Sequence, residues 1–206
     1  MKKTIVLASG NAGKLKEFQQ IFSGAGIALV SQSAFDTPEA EESGESFIEN
    51  AIIKARNAAR QSGYAALADD SGLEVDALDG RPGIYSARFS EGDGGLPASD
   101  QRNNEKLLRL LESVPEAQRS ARFIAALVYM RHAADPTPLV CVGRWEGSIL
   151  SRPQGDNGFG YDPLFYVEEF SCASAELPAE IKNQHSHRAK ALAQLMPQLA
   201  EMGSAT

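Results

Sequence analysis

Two adjacent carboxylates, Asp69 and Asp70, close a short apolar run and open the stretch DDSGLEVDALDGRPGIYSAR, which ends at Arg88. Like charges at neighbouring positions repel, so the pair calls for solvent, a cation or a basic partner. One chemical use of such a pair is a divided task, in which one acid binds a divalent cation and its neighbour orients water. Three more acids follow, Glu74, Asp76 and Asp79. If LEVDAL is extended, Leu73, Val75 and Ala77 face one way and Glu74, Asp76 and Leu78 the other. Glu74 and Asp76 are therefore a rival pair for the same cation.

The basic groups that could answer these acids are scattered. SGNAGKLKE (Ser9 to Glu17) fails as a Walker A motif, because Ala8 and Leu15 stand where that pattern needs Gly and Ser or Thr. Its small residues still suit backbone approach to an anion at a helix start, and Lys14 adds a point charge. In IENAIIKAR, Asn50 and Lys54 share a helix face. KNQHSHRAK gathers Lys182, His185, His187, Arg188 and Lys190, with Ser186 at a capping position. Histidines two apart do not share a helix face, which disfavours a zinc site, whereas arginine at a helix start suits an anion or a polar ring edge. GFGYDPLF (Gly158 to Phe165) joins flexible glycines, aromatics and Asp162, a loop suited to stacking on a base while an acid reads a polar edge. Each segment by itself also fits plain surface or a tight turn. Together they are the parts of a nucleoside triphosphate site: acids for a divalent cation, lysines for phosphates, and a polar aromatic loop for a base.

The elements that must position these groups read as α/β. Thr4–Ser9 is a buried strand, followed by a turn and a helix over 13–24 carrying Leu15, Phe18 and Phe22. Ile27–Val30 is a second strand and residues 36–46 an exposed acidic loop. A helix starts at Phe47 and ends before Gly63. Tyr64–Ala68 is a short strand that delivers Asp69–Asp70 at its carboxyl end, where ligands gather in α/β proteins. Residues 89–99 form a flexible loop. A helix from Asp100 to Glu112, two long strands (Ala121–Arg131 and Leu139–Leu150) and a final helix over His185–Met202 complete the chain.

Bulk properties bound the function. The 206 residues are 43% apolar, enough for a single domain over 1–206 with room for two lobes. A net charge of −7 disfavours a broad nucleic-acid surface. Cys141 and Cys172 make neither a disulfide framework nor a cysteine zinc site. The start, MKKTIVLAS, is too short in apolar residues for a secretory signal, and no run is long enough to span a bilayer. The expectation is a soluble cytoplasmic protein without membrane or nucleic-acid partners.

Six blocks, SGNAGKLKE, SFIENAIIKA, ADDSGLEVDALDGRPGIYSAR, GFGYDPLF, SAELPAEIKN and SHRAKAL, occur in that order between Ser9 and Leu192. In them the chain resembles the inosine/xanthosine triphosphate pyrophosphatase family, and its bacterial members above all. The resemblance implies a two-lobed mixed α/β fold around a long curved mixed sheet, with the active site in the cleft between lobes. It implies Mg²⁺-dependent hydrolysis of ITP, dITP and XTP to monophosphate and pyrophosphate, by a homodimer. Motif by motif, it assigns Lys14 with Ser9 and Asn11, and Lys54, to the phosphates. Glu42 and Asp69 go to Mg²⁺, Asp70 is the general base, and Ser71 and Gly72 give backbone contacts. Phe159, Gly160, Tyr161 and Asp162 border the base and sugar, and Lys182, Ser186, His187 and Arg188 meet the base. Two departures stand out: EGDGGLPASD is lengthened relative to the compact bacterial pattern, and Ser174 replaces a common threonine, neither of them touching the expected catalytic groups. Rival readings are a hydrolase of damaged or pyrimidine triphosphates, a nucleotide-binding module without catalysis, and a structural α/β domain.

Overall fold

Runs that are apolar at every position, such as Ile5–Ala8 and Ala66–Ala68, have no side to turn to water and belong inside a sheet covered on both faces. That is where the computed structural model places them; it describes residues 3–9, 14–15, 18–19, 22, 26–35 and 38–204. Seven strands form one sheet in the order β2-β1-β3-β4-β5-β6-β7: β1 Lys3–Leu7, β2 Ile27–Ser31, β3 Ala65–Val75, β4 Ser120–Met130, β5 Leu139–Ile149, β6 Phe165–Val167 and β7 Cys172–Ala173. β1 runs parallel to β2 and to β3, whereas β6 is antiparallel to β5 and to β7, so the sheet is mixed. The chain divides into two compact units. The first holds Met1–Asp70, Ala126–Val142 and Ala191–Thr206, the second Ser71–Ala125 and Gly143–Lys190.

In the first unit, helix α1 (Phe47–Ser62) buries Phe47, Ala51, Ala55, Ala58 and Ala59, a stripe at helical spacing. The small alanines let the helix backbone approach closely. Ser46 caps α1 by accepting from Glu49 N–H, and the Glu49 carboxylate returns to Glu45 N–H at 2.9 Å. Of the expected helix over 13–24, Lys14, Leu15, Phe18, Gln19 and Phe22 lie among the described residues and are helical. Phe18 and Phe22 are buried, with ring centroids 6.5 Å apart.

The second unit is built on aromatic packing. Phe165 lies 4.5 Å from Phe123 and 5.6 Å from Trp145, centroid to centroid, among Leu73, Val75 and Leu107. Each such side chain, fully buried, contributes about 1.5–3 kcal/mol. Helix α2 (Asp100–Leu110) starts at the Ser99 cap, and helices α3 (Ala179–His185) and α4 (His187–Ser204) close the chain.

Three expectations change. β3 does not stop at Ala68 but runs to Val75, so Asp69 and Asp70 sit in mid-strand. Ser71 and Gly72 stay extended, Leu73 and Val75 find a core, and Ser86 Oγ takes the Leu73 N–H at 2.8 Å. The alternation then ends early: Asp76–Leu78 is a 3-10 turn that buries Leu78 and exposes Ala77. The final helix keeps close to its expected bounds, as α4, with Ser186 extended (φ −65°, ψ 163°) between it and α3. Residues 89–99, expected to be flexible, are tied to α2, with Asp93 held by Lys106 at 3.0 Å and Arg109 at 3.3 Å. Buried Asn103 also accepts from Ser90 N–H and Oγ–H at 2.8 and 2.7 Å. Among the described residues no helix is long and apolar enough to cross a membrane.

Candidate active site

In a pleated strand successive side chains project to opposite faces, and the two acids of β3 are answered separately. Asp69, whose side chain is wholly inaccessible, meets Lys14 Nζ at 2.8 Å. Asp70 meets Lys54 Nζ of α1 at 2.6 Å, and the same ammonium reaches Glu42 at 3.1 Å. Each acid therefore has its own lysine from a different helical segment, and Glu42 shares the second. Glu42 reaches this position because the segment behind it is laid against α1. Gly44 N–H donates to buried Asn50 Oδ1 at 2.9 Å, and a Cβ at Gly44 would meet Glu49 Cβ at 2.6 Å. Only glycine permits that approach.

Burial pushes the Asp70 carboxyl above its ordinary range; Lys54 pulls it back, while Glu42 and then Asp69 add to the rise. Burial alone would lower Lys54, but Asp70, Glu42 and Asp69 hold it above its ordinary value, so it stays charged. The cluster thus combines a secure cation with a carboxyl biased toward holding a proton, as suits a group that must accept one.

The donors suit a magnesium ion. Carboxylate oxygens are hard ligands, and Glu42 and Asp70 already converge on one cationic centre, Lys54 Nζ. Among the described residues no three His, Cys, Asp or Glu side chains form a metal cage. Magnesium does not demand one, being held typically by one or two carboxylates plus phosphate oxygens and water. Ser9 is half-buried at the end of β1, its carbonyl accepting from Ser31 Oγ at 3.3 Å. Asn11 lies outside the described residues.

The remaining candidates belong to the second unit. Asp162 was expected to read a ligand edge, yet its carboxylate is turned inward. Its side chain is 8% exposed and accepts from Phe159 N–H at 2.9 Å, Ser174 Oγ at 2.8 Å and Lys182 Nζ at 2.7 Å. It therefore shapes the loop and aims Lys182. Phe159 projects from this loop with 60% of its surface exposed, whereas Tyr161 is buried and donates its hydroxyl proton to Ser86 C=O at 2.8 Å. Burial pushes the Tyr161 phenol well above its usual range, so it stays a donor. Arg188, 4% exposed, reaches Ser71 Oγ at 3.4 Å through Nη2. The His187 ring stacks on Phe123 at 5.0 Å, and Ser186 Oγ accepts from Ala189 N–H at the start of α4. Gly72 is buried in β3.

The rival acid pair is accounted for within this unit. Arg122 grips Asp76 with two bonds of 2.8 Å, adds Glu146 at 3.0 Å, and lies 3.7 Å from Glu74. Hydrogen bonds from Arg122 and Ser120 hold Asp76 below the usual carboxylate range. The cation shared by Glu74 and Asp76 is a guanidinium.

Sequence reasoning missed three residues. Ser174, noted only as a replacement for a common threonine away from the catalytic groups, is fully buried and bonds Asp162. Asn50 appeared only as a neighbour of Lys54. Gly158 seemed merely flexible, but its φ is +81° and a Cβ there would meet Asp162 Oδ2 at 2.1 Å and Lys182 Nζ at 2.8 Å. Gly158→Ala is expected to destabilise the protein by about 1–2 kcal/mol from the left-handed backbone alone. Differential scanning calorimetry would read this as a Tm fall of roughly 2–8 °C, and an unchanged Tm would mean that the loop relaxes to take alanine without backbone strain.

Comparison with known proteins is consistent across sequence and structure. The profile of the Ham1 family matches residues 5–198. A dITP/XTP pyrophosphatase of Vibrio vulnificus is 59% identical over 199 residues, covering 97% of this chain and 98% of the relative. That of Pseudomonas aeruginosa is 56% identical over 195 residues, covering 95% and 96%. The solved structure of a HAM1 protein from Coxiella burnetii superposes with a TM-score of 0.90 at 46% identity, covering 97% of this chain and 99% of its own. The Staphylococcus aureus Ham1 protein gives 0.85 at 40% identity, covering 97% and 100%.

Proposed function

This chain belongs to the Ham1 family, and from that premise we propose that it hydrolyses non-standard purine nucleoside triphosphates (ITP, dITP and XTP) to the monophosphate and pyrophosphate, so clearing the nucleotide pool. The observation that carries the reading is the cluster of Asp70, Glu42 and Lys54, joined to the Lys14–Asp69 pair through one strand. Substrate phosphates bring concentrated negative charge, and Lys14 and Lys54 offset it. Magnesium, when bound, neutralises charge on the transferring phosphoryl group; Glu42 and Asp69 would hold it. Asp70 takes a proton from the attacking water, which adds at the α-phosphorus as pyrophosphate leaves. Most of the acceleration then comes from placement and charge stabilisation.

The Lys54 geometry supports a second assignment of roles. Glu42 converges with Asp70, not Asp69, on one cation, so Asp70 is a candidate magnesium ligand as well as a candidate base. The magnesium requirement, a cytoplasmic setting among nucleotide pools and a homodimeric assembly belong to the same proposal and rest on family resemblance.

The deciding measurement is product identification. Purified protein incubated with ITP and Mg²⁺ is expected to release IMP and pyrophosphate in equal amounts, resolved by ion-pair chromatography. Stepwise release of inorganic phosphate through IDP, or no turnover of any 6-oxopurine triphosphate, would overturn the proposal.

A further inference from the structure

Gly160 stands between exposed Phe159 and buried Tyr161, and both polar groups of its backbone are held from a helix distant in sequence. Its N–H donates to Asp100 Oδ2 at 2.8 Å and its C=O accepts from Asn104 Nδ2 at 2.9 Å. Asp100 and Asn104 lie four residues apart on α2 and so share one face. Gly160 has φ +62°, a conformation that needs outside support to persist as a single state. Next along the helix, Asn103 is buried and donates to Ser86 C=O at 3.3 Å and Ala87 C=O at 3.1 Å. Ser86 C=O is also the acceptor of the Tyr161 hydroxyl. The first turns of α2 thus hold the loop twice, directly at Gly160 and indirectly through the segment that anchors Tyr161.

The exposed ring of Phe159 depends on this arrangement. Its own N–H is bonded to Asp162, and the residue that follows it is the one clamped. A side chain with most of its surface in solvent gains little orientation from packing. Its direction is set by the backbone on either side.

We propose that Asp100 and Asn104 are positioning residues for purine selectivity: by clamping both sides of Gly160 they fix the Phe159–Asp162 loop against the base. The proposal rests on the reading of that loop as base-facing. Neither residue touches substrate, and neither carries any of the roles assigned above. The competing account is an ordinary helix–loop contact that contributes stability alone.

Asp100→Ala removes one half of the clamp from an exposed position, and Asn104→Asp replaces a donor by an acceptor against the Gly160 carbonyl. Asp100→Asn keeps an oxygen acceptor for Gly160 N–H and serves as the conservative control. Steady-state kinetics with ITP and ATP, with Tm measured in parallel, tests the set. In Asp100→Ala and Asn104→Asp, KM for ITP should rise roughly tenfold with kcat within about twofold, below the 10²-fold that a 1 Å misplacement of reacting groups can cost. The ITP-to-ATP ratio of kcat/KM should fall in both, and Asp100→Asn should behave as wild type. An unchanged KM and ratio, with or without a lower Tm, would overturn the proposal and leave the contact structural. A wild-type protein that does not cleave ITP would sink the functional reading itself, and the selectivity role with it.

Discussion

Asp70→Asn is expected to lower kcat for ITP by roughly 10²–10⁴-fold, the usual range for loss of a general base, while the protein still binds substrate. Asparagine is nearly the same shape, so the site survives. Its amide oxygen can still accept from Lys54, which now holds Asp70 at 2.6 Å. What it cannot do is take a proton from water. The buried position that pushes the Asp70 carboxyl above its ordinary range is the environment that makes a carboxylate a better base. Stopped-flow hydrolysis beside calorimetric binding separates the two functions. Near-wild-type turnover would remove Asp70 from the base role. A magnesium titration of the same variant distinguishes the two assignments. A rate that recovers at high Mg²⁺ would make Asp70 a metal ligand, and a rate that stays low at saturation keeps it as the base.

The second large effect concerns the base. ITP is expected to exceed ATP by at least about 100-fold in kcat/KM, with a ceiling near 10⁴–10⁵ for a site built around a polar contact. The residues assigned to the base include Lys182 and Arg188, which donate hydrogen bonds and accept none. Hypoxanthine and xanthine present an oxygen at the 6-position and accept from them. Adenine presents an amino group, which sets donor against donor and strands both in a partly buried place. Arg188 is 4% exposed, so water is poorly placed to relieve the mismatch. Guanine also carries the 6-oxygen, so this contact discriminates against adenine and not against guanine. Parallel progress curves with the two triphosphates test the ratio, and comparable rates would sink the assignment of substrate class.

Much of this molecule was legible because its signals are local. Phe47 to Ser62 alternates at helical spacing and stops at a glycine, and β4 and β5 are long apolar or alternating runs on either side of an Asp-Pro turn. The acids, lysines and glycine loop could be picked out by residue type and order. What escaped was decided by partners far away in the chain. Arg122, 46 residues after Asp76, makes Glu74 and Asp76 a structural pair instead of a metal pair. Ser174 and Lys182 turn Asp162 inward from 12 and 20 residues away. The length of β3 is supported by a hydroxyl at Ser86, which takes the Leu73 N–H from 13 residues away. Such effects leave no periodicity to read.

The mid-strand position of the two acids has a last consequence. Asp69 is the residue nearest to Asp70 along the chain, yet it contributes less to Asp70's shift than burial, Lys54 or Glu42. Across the backbone of β3 the coupling between the two acids weakens without vanishing, since Asp69 still raises both Asp70 and Lys54. Glu42, far away in the chain, is the stronger companion of Asp70. A change of charge at Glu42 therefore moves the protonation of Asp70 more than the same change at its sequence neighbour would.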